Sequence, residues 1–237
     1  MRGEDFQAQV VSVAALGDPI RRALYGFVVS QAAPVSRDQA AAGVEVARHL
    51  AKFHLDKLET QGLLDVEFHR PPGRRGPGAG RPAKFYRRSA REIALSLPER
   101  RYDLAGHVMA HAITVSQQAG TPVADTLCEA ARSVGRTCAD QVKARVGRRA
   151  SQAAIARTVS DVLAESGYEP RGTATGLTLA NCPFHRLAQE YPSLVCGMNH
   201  DLIQGLLDAL PATTLRARLD PKPGRCCVTL DRARPDP

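Results

Sequence analysis

Apolar positions in the first third of the chain follow helical spacing and then change to the alternation typical of strands. Apolar residues recur every three or four positions within Leu16–Ser30 and again within Glu45–Gln61, which predicts two helices. Between them Ser36 can cap a short helix through Ala42. Alternating residues over Leu64–His69 predict a strand, and Ala83–Arg87 can return beside it.

The ends of these elements carry residues that start and stop helices. Asp18 before Pro19 suits an N-cap followed by proline at the first helical position. Gly62 suits the C-terminal end of the longer helix. The loop between the two strands, Pro71–Pro82, is rich in glycine and proline.

Helix, short helix, longer helix and hairpin is the order of a winged helix-turn-helix, so residues 1–95 are predicted to form such a DNA-binding domain. The second helix of the motif enters the major groove, where base edges can be distinguished. Its exposed face is predicted to offer Arg48, His49, Lys52 and His54. His54 is equally well explained as a histidine that packs between helices.

Positive charge is concentrated in the same region. The chain has 237 residues with 32 basic and 24 acidic side chains, a net charge of +8. Phe68–Arg91 contains eight cations and no acid, which suits a polyanion such as DNA. We expect the hairpin to reach phosphates or the minor groove through Arg70, Arg74, Arg75, Arg81 and Lys84.

The middle of the chain, residues 96–150, is predicted to be a helical connector. Arg101–Ala119 and Val123–Val146 each carry an apolar stripe at helical spacing. We expect Leu104, Val108 and Val115 to help hold a homodimer, since a two-fold dimer reads a two-fold operator. The same stripes could instead form the core of the second domain.

Residues 151–237 alternate short helices and strands, so the whole chain is predicted to be mainly α with small β parts (α+β). No apolar run approaches the roughly 20 residues of a membrane helix, and we expect a cytoplasmic protein. In a reducing compartment the six cysteines are more consistent with metal ligation or burial than with disulfides. Cys128 and Cys138 lie on or beside an apolar stripe, and we interpret them as core residues.

The other four cysteines, Cys182, Cys196, Cys226 and Cys227, fall at predicted element boundaries near glycine and proline. Thiolates in such loops suit a soft metal or an iron–sulfur cluster. We expect Cys182 to open a helix whose dipole lowers the thiol pKa, and Cys196 to lie in a turn before the next helix. If one member of the terminal pair does not bind, His185 or His200 could supply a fourth ligand.

Several of these segments resemble known regulators. Phe53–Glu59 with Gly62-Leu63-Leu64, and Gly80-Arg81-Pro82 leading to Tyr86, resemble the ArsR-like winged helices. Asn181-Cys182-Pro183-Phe184, Val195-Cys196-Gly197 and Cys226-Cys227 resemble the SufR-type iron–sulfur regulators.

The resemblance implies a dimeric repressor of iron–sulfur assembly genes, whose operator affinity depends on a cluster held by Cys182, Cys196 and one of the terminal pair. A 4Fe–4S cluster is favoured over 2Fe–2S, and Cys226 is favoured over Cys227. The doubled cysteine departs from the family pattern and leaves the fourth ligand and the regulated genes open.

Two other functions fit parts of the sequence. Cys182-Pro183-Phe184-His185 is a C-x-x-H pair, which with two more cysteines would make a zinc site in a metal-sensing regulator. Cys182 with His185 could also serve a thiol enzyme. An enzyme would leave the DNA-binding pattern unexplained, so a regulator without enzymatic activity is the favoured interpretation.

Overall fold

A computed structural model describes residues 3–69, 82–147, 149–210 and 213–232. The chain mixes helices and strands and divides into two compact units, Arg2–Leu95 and Ser96–Pro237. We call them the N-terminal and C-terminal units and describe each by itself. None of the described helices combines the length and apolar character needed to cross a bilayer.

The N-terminal unit packs four helices on a small antiparallel sheet. Its elements are α1 (Gly3–Ala15), α2 (Pro19–Ser30), β1 (Val35–Ser36), α3 (Arg37–Gly43), α4 (Arg48–Thr60), β2 (Leu64–His69) and β3 (Ala83–Arg88). The strand order is β1-β3-β2, and Tyr86 at the centre of β3 lies opposite both Val35 and Val66. Tyr86 is completely buried with Leu24, Leu55 and other apolar residues of the helices.

Local capping explains where these helices begin. The Oδ1 atom of Asp18 accepts a hydrogen bond from the Arg21 backbone N–H at 2.9 Å. Ser36 and Gln39 form a reciprocal capping box at the start of α3. These predicted start signals are confirmed, as is the strand over Leu64–His69.

Two helices of this unit differ from the sequence prediction: α1 was not predicted, and α4 begins later than expected. The helix predicted from Glu45 begins at Arg48, because Glu45 has a φ of 55° and cannot continue a right-handed helix. Gly43 ends α3, and a Cβ there would lie 2.1 Å from the Phe27 ring. Its small size therefore serves the close packing of α2 against α3.

The C-terminal unit places helices beside a second antiparallel sheet. Its elements are α5 (Tyr102–Ala119), α6 (Val123–Arg145), α7 (Gln152–Glu165), β4 (Pro170–Gly172), β5 (Gly176–Leu179), α8 (His185–Glu190), α9 (Pro192–Asp208), β6 (Leu215–Leu219) and β7 (Val228–Arg232). The strand order is β4-β5-β7-β6, with every neighbouring pair antiparallel.

One hydrophobic core runs through the whole C-terminal unit, from α5 to β7. The predicted segments 96–150 and 151–237 are therefore not separate in the structure. On the α5 stripe Val108 is buried within this core and Leu104 packs against it. Leu104 and Val108 are therefore used inside the chain, which is the alternative interpretation of this stripe, whereas Val115 is half-buried and not part of that core.

Helices α6 and α9 approach backbone to backbone. A Cβ on Gly135 would lie 2.0 Å from the Leu202 carbonyl oxygen, and one on Gly205 would lie 2.5 Å from the Arg132 carbonyl oxygen. Real Cβ atoms cannot come so close, so each glycine is required by the contact.

We expect Gly135→Ala to lower the free energy of unfolding by about 2 kcal/mol, because backbone must shift to admit the methyl group. The control is Gly106→Ala on α5, where a Cβ meets nothing within 4 Å. There the better helix propensity of alanine should stabilise by up to about 1 kcal/mol. Urea unfolding followed by far-UV circular dichroism measures both, and equal effects would contradict the backbone contact.

Candidate metal centre and nucleic-acid surface

Four cysteines from three separate segments of the chain line one cavity of about 370 Å³ in the C-terminal unit. Cys182 follows β5, Cys196 lies on α9, and Cys226 and Cys227 immediately precede β7. Cys182 and Cys226 are buried, whereas Cys196 and Cys227 are half-buried. Cys196 was predicted in a turn, but α9 begins at Pro192 and carries it in its second turn.

The loop before β7 holds the terminal cysteine pair. The Asp220 backbone N–H donates to the Cys227 carbonyl oxygen at 2.7 Å, and the Cys226 N–H donates to the Leu179 carbonyl oxygen at 2.8 Å. Gly224 takes a φ of 74° at the turn, a conformation that glycine adopts readily. Arg225 closes the loop through an ion pair with Asp220 at 2.5 Å. The Cys226 backbone is thereby tied to the end of β5, close to Cys182.

The segment that carries Cys182 is fixed by Arg100. Its guanidinium donates to Asn181 Oδ1 at 2.5 Å and to the Cys182 carbonyl oxygen at 2.8 Å. The Asn181 amide in turn donates to the Gly167 carbonyl oxygen at 2.6 Å. The Arg101 backbone N–H donates to the Pro183 carbonyl oxygen at 3.1 Å. Residues near the start of the C-terminal unit thus position the first cysteine.

The four thiols interact with one another in a chain. A hydrogen bond with Cys226, together with burial, raises the pKa of Cys182 far above its ordinary value. Cys226 also pairs with Cys227, and its pKa is raised to about 11 because that partner and burial outweigh the bond with Cys182. Burial raises the pKa of Cys196, although its hydrogen bond with Cys227 opposes the change. The lowered thiol pKa predicted at Cys182 is therefore wrong: α8 begins only at His185, and a buried neighbouring thiol dominates.

The chemistry of this donor set suits a soft metal. Across the described ranges, no three histidine, cysteine, aspartate or glutamate side chains are arranged to hold a metal ion. The sulfurs nevertheless have N–H groups directed at them, from Phe184 to Cys182 and from Asn199 and Val228 to Cys226. Lys222 and Arg225 add positive charge to the cavity wall. Sulfur ligands, N–H donors and cations fit an anionic thiolate site.

No family model matches the chain, and no curated protein or solved structure matches it.

The two histidines predicted as possible fourth ligands differ in whether they line the cavity. His185 is exposed and lines the cavity with the cysteines. His200 lies elsewhere, with its Nε2 atom 3.3 Å from the Ala217 carbonyl oxygen on β6, so it is not a ligand candidate. The other two cysteines do not line the cavity: Cys138 packs against the core, and Cys128 lies beside Arg132.

Helix α4 of the N-terminal unit presents a basic exposed face. Arg48, His49 and Lys52 are all exposed, and Phe53 beside them is 63% exposed. Arg48 forms an ion pair with Asp38, but both side chains are largely exposed and such pairs contribute little. These cations are available to a partner.

Two other residues predicted to contact DNA have different roles. His54 is 5% exposed and its Nδ1 atom lies 3.9 Å from Asp18 Oδ1, so it packs between helices. Lys84 forms ion pairs with Asp56 and Glu59 of α4, and Tyr86 donates a hydrogen bond to the same Asp56 at 2.7 Å. His54 therefore has the packing role that the sequence offered as its alternative, and Lys84 is engaged with α4 within the unit.

The remaining predicted wing cations, Arg70, Arg74, Arg75 and Arg81, lie outside the described residues. Sequence reasoning also missed Arg100, Asn181 and Asn199 as supports of the cysteine site. Two of them had a usable signal: Asn181 adjoins Cys182 in a segment that the sequence singles out, and Asn199 follows Cys196 by three positions on one helix and therefore shares its face.

The Lys84 network gives a pH-dependent contribution to stability. Partial burial opposes ionisation of Asp56, but the hydrogen bonds from Lys84 and Tyr86 outweigh it and lower the pKa below 3.8. A lowered folded-state pKa stabilises fully above the ordinary value, and this contribution is lost as pH falls through the lowered one.

We expect Lys84→Met to lower the free energy of unfolding by about 1 kcal/mol at neutral pH, a modest value because Asp56 is partly exposed. The deficit should shrink as the pH is taken below the ordinary carboxyl pKa. Urea unfolding across this pH range measures it, with Lys57→Met on the exposed surface of α4 as control. A deficit independent of pH would show that lost packing, not the ion pairs, is responsible.

Proposed function

We propose that this chain is a DNA-binding transcriptional regulator whose DNA affinity is controlled by an iron–sulfur cluster bound at Cys182, Cys196 and Cys226. The observation that carries the proposal is the convergence of four cysteines from three separate segments on one cavity. This cavity belongs to a unit distinct from the one that presents the basic helix.

The N-terminal unit supports the DNA-binding half of the proposal. The order of its elements is that of a winged helix-turn-helix with an antiparallel sheet: α2, β1, α3, α4, β2 and β3. Helix α4 would lie in the major groove. Lys84 pairs with Asp56 and Glu59, the acids of α4, and offsets part of the negative charge that would otherwise repel phosphates. The face with Arg48, His49 and Lys52 is left positive.

The residues around the cavity support the metal-binding half. Cys182, Cys196 and Cys226 would hold the cluster, and Cys227 or His185 is placed to supply a further ligand. A bound cluster supplies a cross-link that depends on iron and on oxidation state. The N–H groups of Phe184 and Val228 stabilise negative charge on the ligand sulfurs.

A route from the cysteines toward the start of the C-terminal unit is provided by Arg100. To bind as thiolates, Cys182 and Cys226 must give up their mutual hydrogen bond, and the segment that carries Cys182 must adjust. That segment is bonded to Arg100 and Arg101, which follow closely after Leu95 at the end of the N-terminal unit. A ligand controls DNA affinity only when it binds two conformations unequally. The Arg100 bonds could differ between such conformations.

Zinc is the second candidate ligand, favoured by one observation: His185 lies on the cavity wall together with the cysteines. A thiol enzyme based on Cys182 is disfavoured, because without a bound metal the raised pKa favours the protonated thiol, which is a weak nucleophile. A homodimer belongs to the proposal, because an operator with two symmetric half-sites is bound by two copies of the DNA-binding unit. Its interface must use surfaces other than the buried α5 stripe.

We expect protein purified without oxygen to be brown, with iron and sulfide but little zinc. Cys182→Ser and Cys196→Ser should each abolish the visible absorption, because each removes a ligand. Cys128→Ser and Cys138→Ser are the controls and should keep it, at most with lower stability. Absorption spectra and metal analysis of all four variants make the comparison. A colourless wild type with stoichiometric zinc would replace the cluster by the zinc alternative.

We expect Arg48→Ala and Lys52→Ala to relax sequence preference, each losing about 1–3 kcal/mol of discrimination per base contact. The probe is a pool of DNA fragments enriched by repeated selection with the wild-type protein. Lys57→Ala, on another face of α4, is the control. Titrations at several salt concentrations, with cluster-loaded and cluster-free protein, separate base contacts from phosphate contacts. Unchanged preference in both variants would remove α4 from the DNA interface.

A further inference from the structure

Asn199 on α9 is completely buried and lies between a tyrosine and a cysteine of the cavity. Its Nδ2 atom is 3.2 Å from the Cys226 sulfur. Its Oδ1 atom accepts a hydrogen bond from the Tyr168 hydroxyl at 2.5 Å. Tyr168 is itself only 3% exposed, so this chain of three polar groups is closed off from solvent.

The donors in this chain point toward the sulfur. A thiolate that binds a metal has no proton and can only accept hydrogen bonds. The Asn199 amide N–H must then face Cys226, and Oδ1 must face the Tyr168 hydroxyl, as observed. The Val228 backbone N–H approaches the same sulfur at 3.5 Å. Cys226 therefore has two N–H donors, one of them fixed in orientation by Tyr168.

We infer that Asn199, held by Tyr168, is a positioning residue that strengthens metal binding at Cys226 and raises the reduction potential of the site. The inference rests on the proposed function, because it concerns the same sulfur. Hydrogen bonds to ligand sulfurs stabilise the more negative, reduced state of a cluster. Residues that support a ligand from behind typically change metal affinity by about 10–100-fold when replaced.

A purely structural role for Asn199 predicts something different. A buried amide that only satisfies Tyr168 would affect unfolding but neither metal affinity nor reduction potential. The two roles are therefore distinguished by measurements on folded variants.

The test uses Asn199→Leu, which keeps the branched shape but loses the donor, and Tyr168→Phe, which keeps Asn199 but frees its orientation. Thr229→Val is the matched control: Thr229 is also buried, on β7, and its hydroxyl bonds the Arg218 carbonyl oxygen and no sulfur. Circular dichroism establishes that each full-length variant is folded. Affinity for Cd(II) is measured by competition with a chelating dye, and the cluster potential by anaerobic redox titration.

We expect Asn199→Leu to weaken Cd(II) binding about 10–100-fold and to make the cluster potential more negative. Tyr168→Phe should change both in the same direction but less, and Thr229→Val should change neither. If Asn199→Leu does not fold, Tyr168→Phe decides alone.

Wild-type affinity and potential in both Asn199→Leu and Tyr168→Phe would overturn the inference and leave the proposed cluster standing. A wild type that forms no cluster, but whose Cd(II) affinity falls in the two variants, would reject the proposed cluster and keep the role of Asn199. A wild-type protein that binds neither Cd(II) nor a cluster would reject both the proposed cluster and the role of Asn199.

Discussion

The backbone contact between α6 and α9 is the constraint on which the C-terminal unit depends. Gly135 and Gly205 let the two helices touch without intervening side chains, which fixes the axis of α9. Helix α9 carries Cys196 near its beginning and Asn199 one turn later. The same helix packs against β6 and β7, so the position of Cys226 relative to Asn199 follows from where α9 lies.

Sequence reasoning succeeded where structure is determined by neighbouring residues. Asp18, Ser36 and Gly62 act on helix ends within a few positions, and the alternation over Leu64–His69 is a local pattern. It failed where contacts between residues far apart in the chain determine the role of a side chain. Lys84 looks like a wing cation until its partners on α4, Asp56 and Glu59, are known.

The candidate site divides in the same way. The positions of Cys182, Cys196, Cys226 and Cys227 beside glycine and proline set them apart in the sequence, and the structure brings all four to one cavity. Their protonation could not be predicted, because it depends on the bond between Cys182 and Cys226 across the fold. The start of α9 at Pro192, ahead of Cys196, was likewise not predicted, since proline suits the first position of a helix as well as a turn. Arg100 and Tyr168 act through contacts that no local pattern reveals.

The ion pairs of Lys84 also bear on how fast and how tightly the N-terminal unit can engage a partner. Lys84 and Tyr86 both bond to Asp56, so strand β3 is held against α4 before any partner arrives. Ordering a flexible segment during association opposes binding by about 0.5–1.5 kcal/mol for each immobilised side chain. Here the strand and the helix are already bonded to each other, so less conformational entropy would remain to be lost on association.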